Sequence, residues 1–179
     1  IMILLLAQLG QAADYYWVGG SGDWSDISHW ATTSGGATRH NVVPSPNDLV
    51  FFDANSFTAP NQLVNVNNQS IFCLDMNWEA ATNNPTFSAP AGYILNIYGS
   101  LRLSPNMLFS FRGSVNFLAN ALGQTILMAG HRIRQLVTFN GPGGGWTLTS
   151  PLQMDSTLLI NAGNLNTGNQ AITCKRWFV

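Results

Sequence analysis

The sequence predicts an all-β protein: a parallel β-helix with an N-terminal aromatic cap, with a β-sandwich as the alternative. Three observations carry this prediction. Uncharged polar residues dominate the composition, short apolar alternations are separated by turn residues, and a Gly-Ser bend recurs at the same place in successive units. The recurring bend favours stacked coils over a sandwich, and no long segment shows a convincing helical period.

Charged side chains make up only 8% of the 179 residues, against roughly 25% in an average soluble domain. Nineteen asparagines, with many serines, threonines and glutamines, supply the polarity instead. Stacked amides and hydroxyls of this kind are typical of extracellular β proteins. The formal net charge of −1 argues against nucleic acid as a partner, because phosphate backbones are bound by basic surfaces. Arg132 and Arg134, at strand spacing, are interpreted as one solvated face.

Residues 1–13 are interpreted as the apolar core and cleavage site of a secretory signal peptide, with a buried strand as the alternative. The apolar run is too short to span a bilayer, and it ends in Ala12 and Ala13, after either of which cleavage is expected. This leader predicts a secreted or cell-surface protein without a transmembrane span. The chain begins at Ile1 without a basic segment and ends without a polar tail. We therefore expect a fragment whose parent chain carries further domains.

Residues 14–58 are predicted to form the N-terminal cap, because they are dense in aromatic, glycine and aspartate residues. The aromatic residues of this segment are Tyr15, Tyr16, Trp17, Trp24 and Trp30. Such rings can bind sugars, but the first coil of a solenoid also needs a cover for its core and its strand edge. Capping is the favoured interpretation and sugar binding the alternative.

Local signals within the cap predict individual elements. The glycine-rich stretch 19–22 predicts a turn. The stretch 26–30 predicts one helical turn with Asp26 as its N-cap. The apolar run 49–52, bounded by Asn and Asp, predicts a fully buried strand.

Residues 59–179 are predicted to form the β-helix coils. The segments 93–103 and 107–117 overlay with a constant offset of fourteen residues, each with two alternating runs joined by Gly-Ser. This overlay predicts that the first segment stacks directly on the second: Leu95, Ile97, Leu101 and Leu103 over Phe109, Phe111, Val115 and Phe117. The glycine-rich segment GPGGGW at 141–146 predicts a wide β-turn rather than a phosphate-binding loop.

Residue types that carry chemistry do not form a recognisable catalytic or zinc-binding pattern, so neither catalytic residues nor a cofactor are predicted. A calcium site is the alternative role for four aspartates that otherwise stabilise turns: Asp23, Asp26, Asp48 and Asp53. Cys73 and Cys174 lie in strand-like runs several coils apart. They are expected to be unpaired core residues.

The motif from Trp17 to Trp30, WVGGSGDWSDISHW, and the following VPSPNDLVFFD at 43–53 resemble the N-terminal region of large secreted surface proteins of Bacteroidota. The CLDMNW segment at 73–78 and the Gly-Ser units extend the resemblance over the chain after the leader. Members of that group are long and adhesin-like, and many carry a type IX secretion sorting domain. The resemblance implies export, a β-helical body and a role in adhesion or matrix, and it brings no catalytic residues.

Together these observations predict a structural or adhesive module of a secreted or cell-surface β-helix protein, without catalytic activity of its own. Extracellular polysaccharide, or a host or cell surface, is the expected partner. The alternatives are a polysaccharide-degrading β-helix enzyme, a lyase or hydrolase, and a carbohydrate-binding module.

Overall fold

A computed structural model describes residues 12–179, so the expected signal peptide at 1–13 lies almost wholly outside the described residues. The described chain winds into a parallel β-solenoid of about six turns. Neighbouring strands in each sheet come from successive turns and run parallel, apart from one antiparallel pair near the N-terminus. The predicted all-β parallel fold is confirmed, and the β-sandwich alternative is excluded.

The strands are short, and the helical structure among the described residues is one 3-10 turn at Ile27–His29. Asp26 is the N-cap of that turn, as predicted, and its carboxylate accepts a hydrogen bond from the Ser28 N–H at 2.9 Å. In chain order the strands are β1 (Asp14–Trp17), β2 (Gly22–Asp23), β3 (Trp30–Ala31), β4 (Leu49–Phe51), β5 (Leu63–Asn65), β6 (Ser70–Cys73), β7 (Met76–Asn77), β8 (Thr86–Ala89), β9 (Ile94–Ile97), β10 (Leu101–Arg102), β11 (Leu108–Phe111), β12 (Ser114–Phe117), β13 (Gln124–Leu127), β14 (Arg132–Ile133), β15 (Val137–Leu148), β16 (Leu152–Met154), β17 (Thr157–Asn166), β18 (Ile172–Thr173) and β19 (Arg176–Phe178).

The strands line three faces, which the chain visits in the same order in each turn from β4 onward. Face 1 carries β6, β9, β12, the first part of β15, the first part of β17, and β19. Face 2 carries β1, β4, β7, β10, β13 and the second parts of β15 and β17, with β3 antiparallel to β1 at its edge. Face 3 carries β2, β5, β8 and β11, then β14, β16 and β18 in a second sheet.

The core is built from columns of inward-pointing apolar side chains, in which each turn contributes one side chain at the equivalent strand position. On face 1 one such ladder runs through Ile71, Leu95, Val115, Val137 and Leu158. All of these side chains are buried, since alternate strand residues point into the coil. Each turn therefore covers the apolar face of the turn below it, which no single turn could bury alone.

The predicted stacking of the two overlaid segments is wrong in its partners, although all eight residues are buried as expected. Leu95 pairs with Val115, Ile97 with Phe117, Leu101 with Ile126, and Phe109 with Phe87. The fourteen-residue offset relates β9 and β10 to β11 and β12, which lie on other faces. The true turn is longer because it contains three strands.

Two local predictions also need correction. The glycine-rich stretch 141–146 forms no separate β-turn but lies within β15, which bends here from face 1 to face 2 with shifts in strand register. A Cβ on Gly141 or Gly144 would lie within 2.1 Å of the Ala119 carbonyl oxygen, so only glycine allows this close passage. The run 49–52 is not fully buried: Val50 and Phe52 point inward while Phe51 lies on the outer surface.

None of the described residues belongs to a helix that is long and apolar enough to cross a membrane.

Candidate functional site

The aromatic residues of the first segment form a cluster at the N-terminal end of the solenoid. Trp17, Trp24 and Trp30 are at most 1% exposed, and their expected burial is confirmed. The rings meet edge to face: Trp30 lies 4.9 Å from Trp17 and 4.7 Å from Trp24, between centroids. The indole N–H of Trp30 donates to the Trp24 carbonyl, and that of Trp17 to the Gly20 carbonyl. No ring face of these three residues is available to a sugar.

The glycines of the first motif make room for the side chain that covers this cluster. The imidazole of His29 stacks on Trp17 with centroids 4.5 Å apart and planes within 6°. A Cβ on Gly22 would lie 2.0 Å from Nε2 of His29, so the imidazole takes the place of a side chain there. The Nδ1 atom of His29 lies 2.6 Å from the Val18 carbonyl and donates to it in the matching tautomer. These contacts fix the ring over the first turn.

The two tyrosines of the segment are placed differently. Tyr15 is buried and stacks on His40 at 3.6 Å, and burial together with the charge of Asp48 raises the pKa of its hydroxyl. Tyr16 is half-buried on the outer surface of face 2 and stacks on Phe51 at 4.9 Å. These two rings lie nearly parallel, with 17° between their planes, so each covers one face of the other. Of the five aromatic residues named for the sugar-binding alternative, Tyr16 alone is partly exposed, and that alternative stays a prediction.

A shallow depression of about 440 Å³ lies beside the aromatic cluster. Its lining is polar and apolar in equal parts and is formed by Ser21, Gly22, Asp23, Asp26, His29, Leu63 and Asn65. Asp23 accepts a hydrogen bond from the Asn65 amide at 2.6 Å, and Asp26 caps the 3-10 turn. That bond from the Ser28 backbone lowers the pKa of Asp26, which keeps its carboxyl ionised. The depression can accept hydrogen bonds from hydroxyl groups.

The four aspartates of the calcium alternative each accept hydrogen bonds from different partners. Asp48 accepts from the backbone of Ala13 and Ser45, and Asp53 accepts from the backbone of Asn55. Across residues 12–179, no three His, Cys, Asp or Glu side chains come close enough together to hold a metal ion. Both cysteines are free thiols; Cys73 is buried and Cys174 half-buried.

A second polar surface, on the later part of face 3, gathers three cations around one carboxylate. We call it the cation cluster; it comprises Arg132, Arg134, Gln153, Asp155 and Lys175. Arg132 donates to Asp155 at 2.6 Å and to the Gln153 side-chain oxygen at 3.1 Å. Arg134 lies 3.8 Å from the other oxygen of Asp155. Strand register brings these residues together, since Arg132 pairs with Gln153 and Gln153 with Thr173, two residues before Lys175.

The electrostatics of the cation cluster are unbalanced. The hydrogen bond from Arg132 lowers the pKa of Asp155, and the charges of Arg132, Arg134 and Lys175 act in the same direction. One carboxylate therefore faces three cations, so the cluster carries a net charge of about +2 at neutral pH. The side chains of Arg132 and Arg134 are 47% and 57% exposed, which leaves their remaining N–H groups open to an anionic ligand.

Charge is also segregated over the whole solenoid. Seven of the eight acidic residues lie at or before Glu79, and six of the seven basic residues lie at or after Arg102. Because turns stack in chain order, the early turns are acidic and the later turns basic. The net charge of −1 is therefore the sum of an acidic surface on the early turns and a basic surface on the later turns.

The fold and these surfaces define a parallel β-solenoid with an aromatic N-terminal end and a basic outer face. No protein-family model, curated protein or solved structure shows significant similarity to the chain.

The cation cluster was missed from the sequence, where Arg132 and Arg134 were interpreted only as a solvated face. The signal that could have found it is spacing: Arg134, Asp155 and Lys175 follow one another by 21 and 20 residues, which is close to one turn.

Proposed function

We propose that the protein is a structural and adhesive module of an exported β-solenoid protein, and that it attaches to acidic polysaccharide through the cation cluster. The solenoid provides a stiff support, because each turn is packed over its whole apolar face against the next. The cation cluster provides the contact. Guanidinium groups pair with carboxylates and sulfates through two parallel hydrogen bonds, which gives both strength and orientation.

The observation that carries the proposal is the excess of exposed cations on and just after the stacked strands β14, β16 and β18. Adjacent strands of a parallel sheet repeat at about 4.8 Å, and outward residues along one strand repeat at about 6.6 Å. Arg132 lies within β14, whereas Arg134 and Lys175 follow within two residues of the ends of β14 and β18, so the register of these stacked strands sets the spacing of the cations. A linear polymer with a charge on each sugar presents a comparable row of anions, and several weak contacts then add along its length.

Binding of the purified protein to immobilised polygalacturonate, dextran sulfate and uncharged dextran tests this proposal. We expect binding to both anionic polymers that weakens as salt is raised, and none to dextran. The variant R134Q/K175Q should weaken binding about tenfold, because two charge-assisted contacts are lost. The control R39Q/R102Q removes the same charge from two arginines outside the cluster and should bind like the parent protein.

Equal loss of binding in both double variants would show that only total charge matters, and would contradict a site on face 3. Binding to duplex DNA stronger than to the polysaccharides would contradict the choice of partner. Thermal unfolding of each variant checks that the fold is retained.

The depression beside the aromatic cluster supports the enzyme alternative less well. Hydrolysis of a glycosidic bond needs one carboxyl group that keeps its proton near neutral pH. The pKa of Asp26 is shifted in the opposite direction by its backbone hydrogen bond. Local hydrogen bonds account for both carboxylates of the depression, Asp23 and Asp26, which favours a structural role for them.

A further inference from the structure

We infer that the chain is processed between Ala12 and Ala13, and that the new α-ammonium group of Ala13 forms an ion pair with Asp48. The inference rests on the export that the proposed function includes, and it selects one of the two cleavage positions that the leader allows. It also gives the processed chain a stabilising contact that the unprocessed chain lacks.

The first observation is the position of a buried carboxylate. Asp48 is only 7% exposed, and its side chain accepts hydrogen bonds from the Ser45 N–H at 2.8 Å and the Ser45 hydroxyl at 2.6 Å. No Lys, Arg or His among residues 12–179 lies within ion-pair distance of it. A buried carboxylate without a counter-charge is unfavourable, and a nearby cation would compensate it.

The second observation is that the backbone nitrogen of Ala13 faces the Asp48 carboxylate. The backbone nitrogen of Ala13 is 3.1 Å from Oδ1 of Asp48, and it is part-buried. The Ala13 carbonyl accepts from the Leu49 N–H at 2.9 Å, so the residue is held at the start of the β1–β4 pairing. The amide nitrogen in this place is neutral. An α-ammonium group in the same place would carry the positive charge that Asp48 lacks.

The third observation is sequence-based and independent of the geometry. Signal peptidases require small residues at the last and third-last positions of the leader. Cleavage after Ala12 places Ala12 and Gly10 there, whereas cleavage after Ala13 places Gln11 at the third-last position. The sequence rule and the buried carboxylate therefore select the same bond.

The chemical step is hydrolysis of one peptide bond by a signal peptidase. Water supplies a hydroxyl group to the Ala12 carbonyl carbon and a hydrogen to the Ala13 nitrogen, and the C–N bond between them breaks. The released amine then takes up a proton from solvent at neutral pH, since an α-amino group has a pKa of about 7.7–8.0. Pairing with Asp48 favours the charged form and raises that pKa further.

Cleavage of the full chain by purified signal peptidase in detergent micelles, followed by intact-mass measurement, tests the position. We expect a product that begins at Ala13. A12L should abolish cleavage, whereas A13L should still be cut after Ala12. A product that begins at Asp14, a block by A13L, or an uncut parent chain would overturn the inference.

Chemical acetylation of the α-amine tests the ion pair. For the chain beginning at Ala13, acetylation should lower the melting temperature by about 5 °C near neutral pH. The difference should disappear well above pH 8, because a pairing that raises an amine pKa is lost when the amine loses its proton. In D48N, acetylation should change little. An equal effect of acetylation in D48N and parent would overturn the ion pair, while polysaccharide binding by either form would leave the proposed function standing.

Discussion

At the N-terminal end of the solenoid, close packing around Gly22 leaves no space for a side chain at that position. His29 fills the space that a side chain on Gly22 would need, and its ring is held between Trp17 and the Val18 carbonyl. Gly22 does not lie in the left-handed region, so its role is to allow close approach rather than an unusual backbone angle. The glycine and the histidine seven residues later are therefore one structural unit.

Replacement of Gly22 by alanine should cost about 1–3 kcal/mol of folding free energy, because the imidazole must leave its place on Trp17. Chemical denaturation measures this cost. In the H29A background the same replacement should cost much less, since the obstructing ring is gone. Equal costs in both backgrounds would contradict the steric account.

Replacement of Trp24 by alanine should cost about 3–5 kcal/mol, because this ring is buried between Trp30 and Phe87. The control W177A removes the same side chain from a position that is 52% exposed, and should cost less than about 1 kcal/mol. Denaturant midpoints distinguish the two. A W24A protein of parental stability with reduced glycan binding would instead support the sugar-platform alternative.

At the scale of strands, the sequence was a good guide to which side chains point inward and a poor guide to which strands meet. Alternation identifies Leu95, Ile97 and Phe111 as core residues, because one face of each strand is buried regardless of partner. Partner choice depends on the length of a turn. Ile71, Leu95, Val115 and Val137 are separated by 24, 20 and 22 residues, so loops of unequal length hide the period.

The same limit applies to the functional surface. Arg132 and Arg134 share one outer face by their spacing alone, which the sequence predicts. Asp155 and Lys175 join them only through the register of β14, β16 and β18. The aromatic end was predictable because its residues are close in sequence and their burial follows from size and apolarity.

The two cysteines differ in burial, and this difference can be measured by their reactivity. Cys73 lies in β6 with β9 beside it, and burial strongly raises the pKa of its thiol. Cys174 follows β18, in the last turn described, and is half-buried. A thiol-reactive dye should therefore label Cys174 readily in the native protein and Cys73 only after unfolding, because the thiolate is the reacting species. C174S should abolish labelling of the native protein. Equal labelling of both thiols in the native protein would contradict the burial of Cys73 within the stacked turns.

At the scale of the whole molecule, segregated charge should dominate behaviour on charged surfaces. The protein carries a formal net charge of −1, yet its later turns expose an excess of cations. We expect retention on a cation-exchange resin at pH 7, where a uniformly charged protein of the same net charge would pass through. R134Q/K175Q should elute at lower salt, and R39Q/R102Q nearly unchanged. Flow-through of the parent protein at low salt would contradict this prediction.

Because acidic and basic turns occupy opposite ends of one axis, the solenoid is a permanent electric dipole. A field from an anionic surface exerts a torque on such a molecule and turns its positive end forward before contact. Salt limits this effect to about 8 Å at physiological ionic strength, so alignment takes place in the last step of approach. The described turns would then approach the surface with their tryptophan-rich end facing away, an orientation set by the order in which charges occur along the chain.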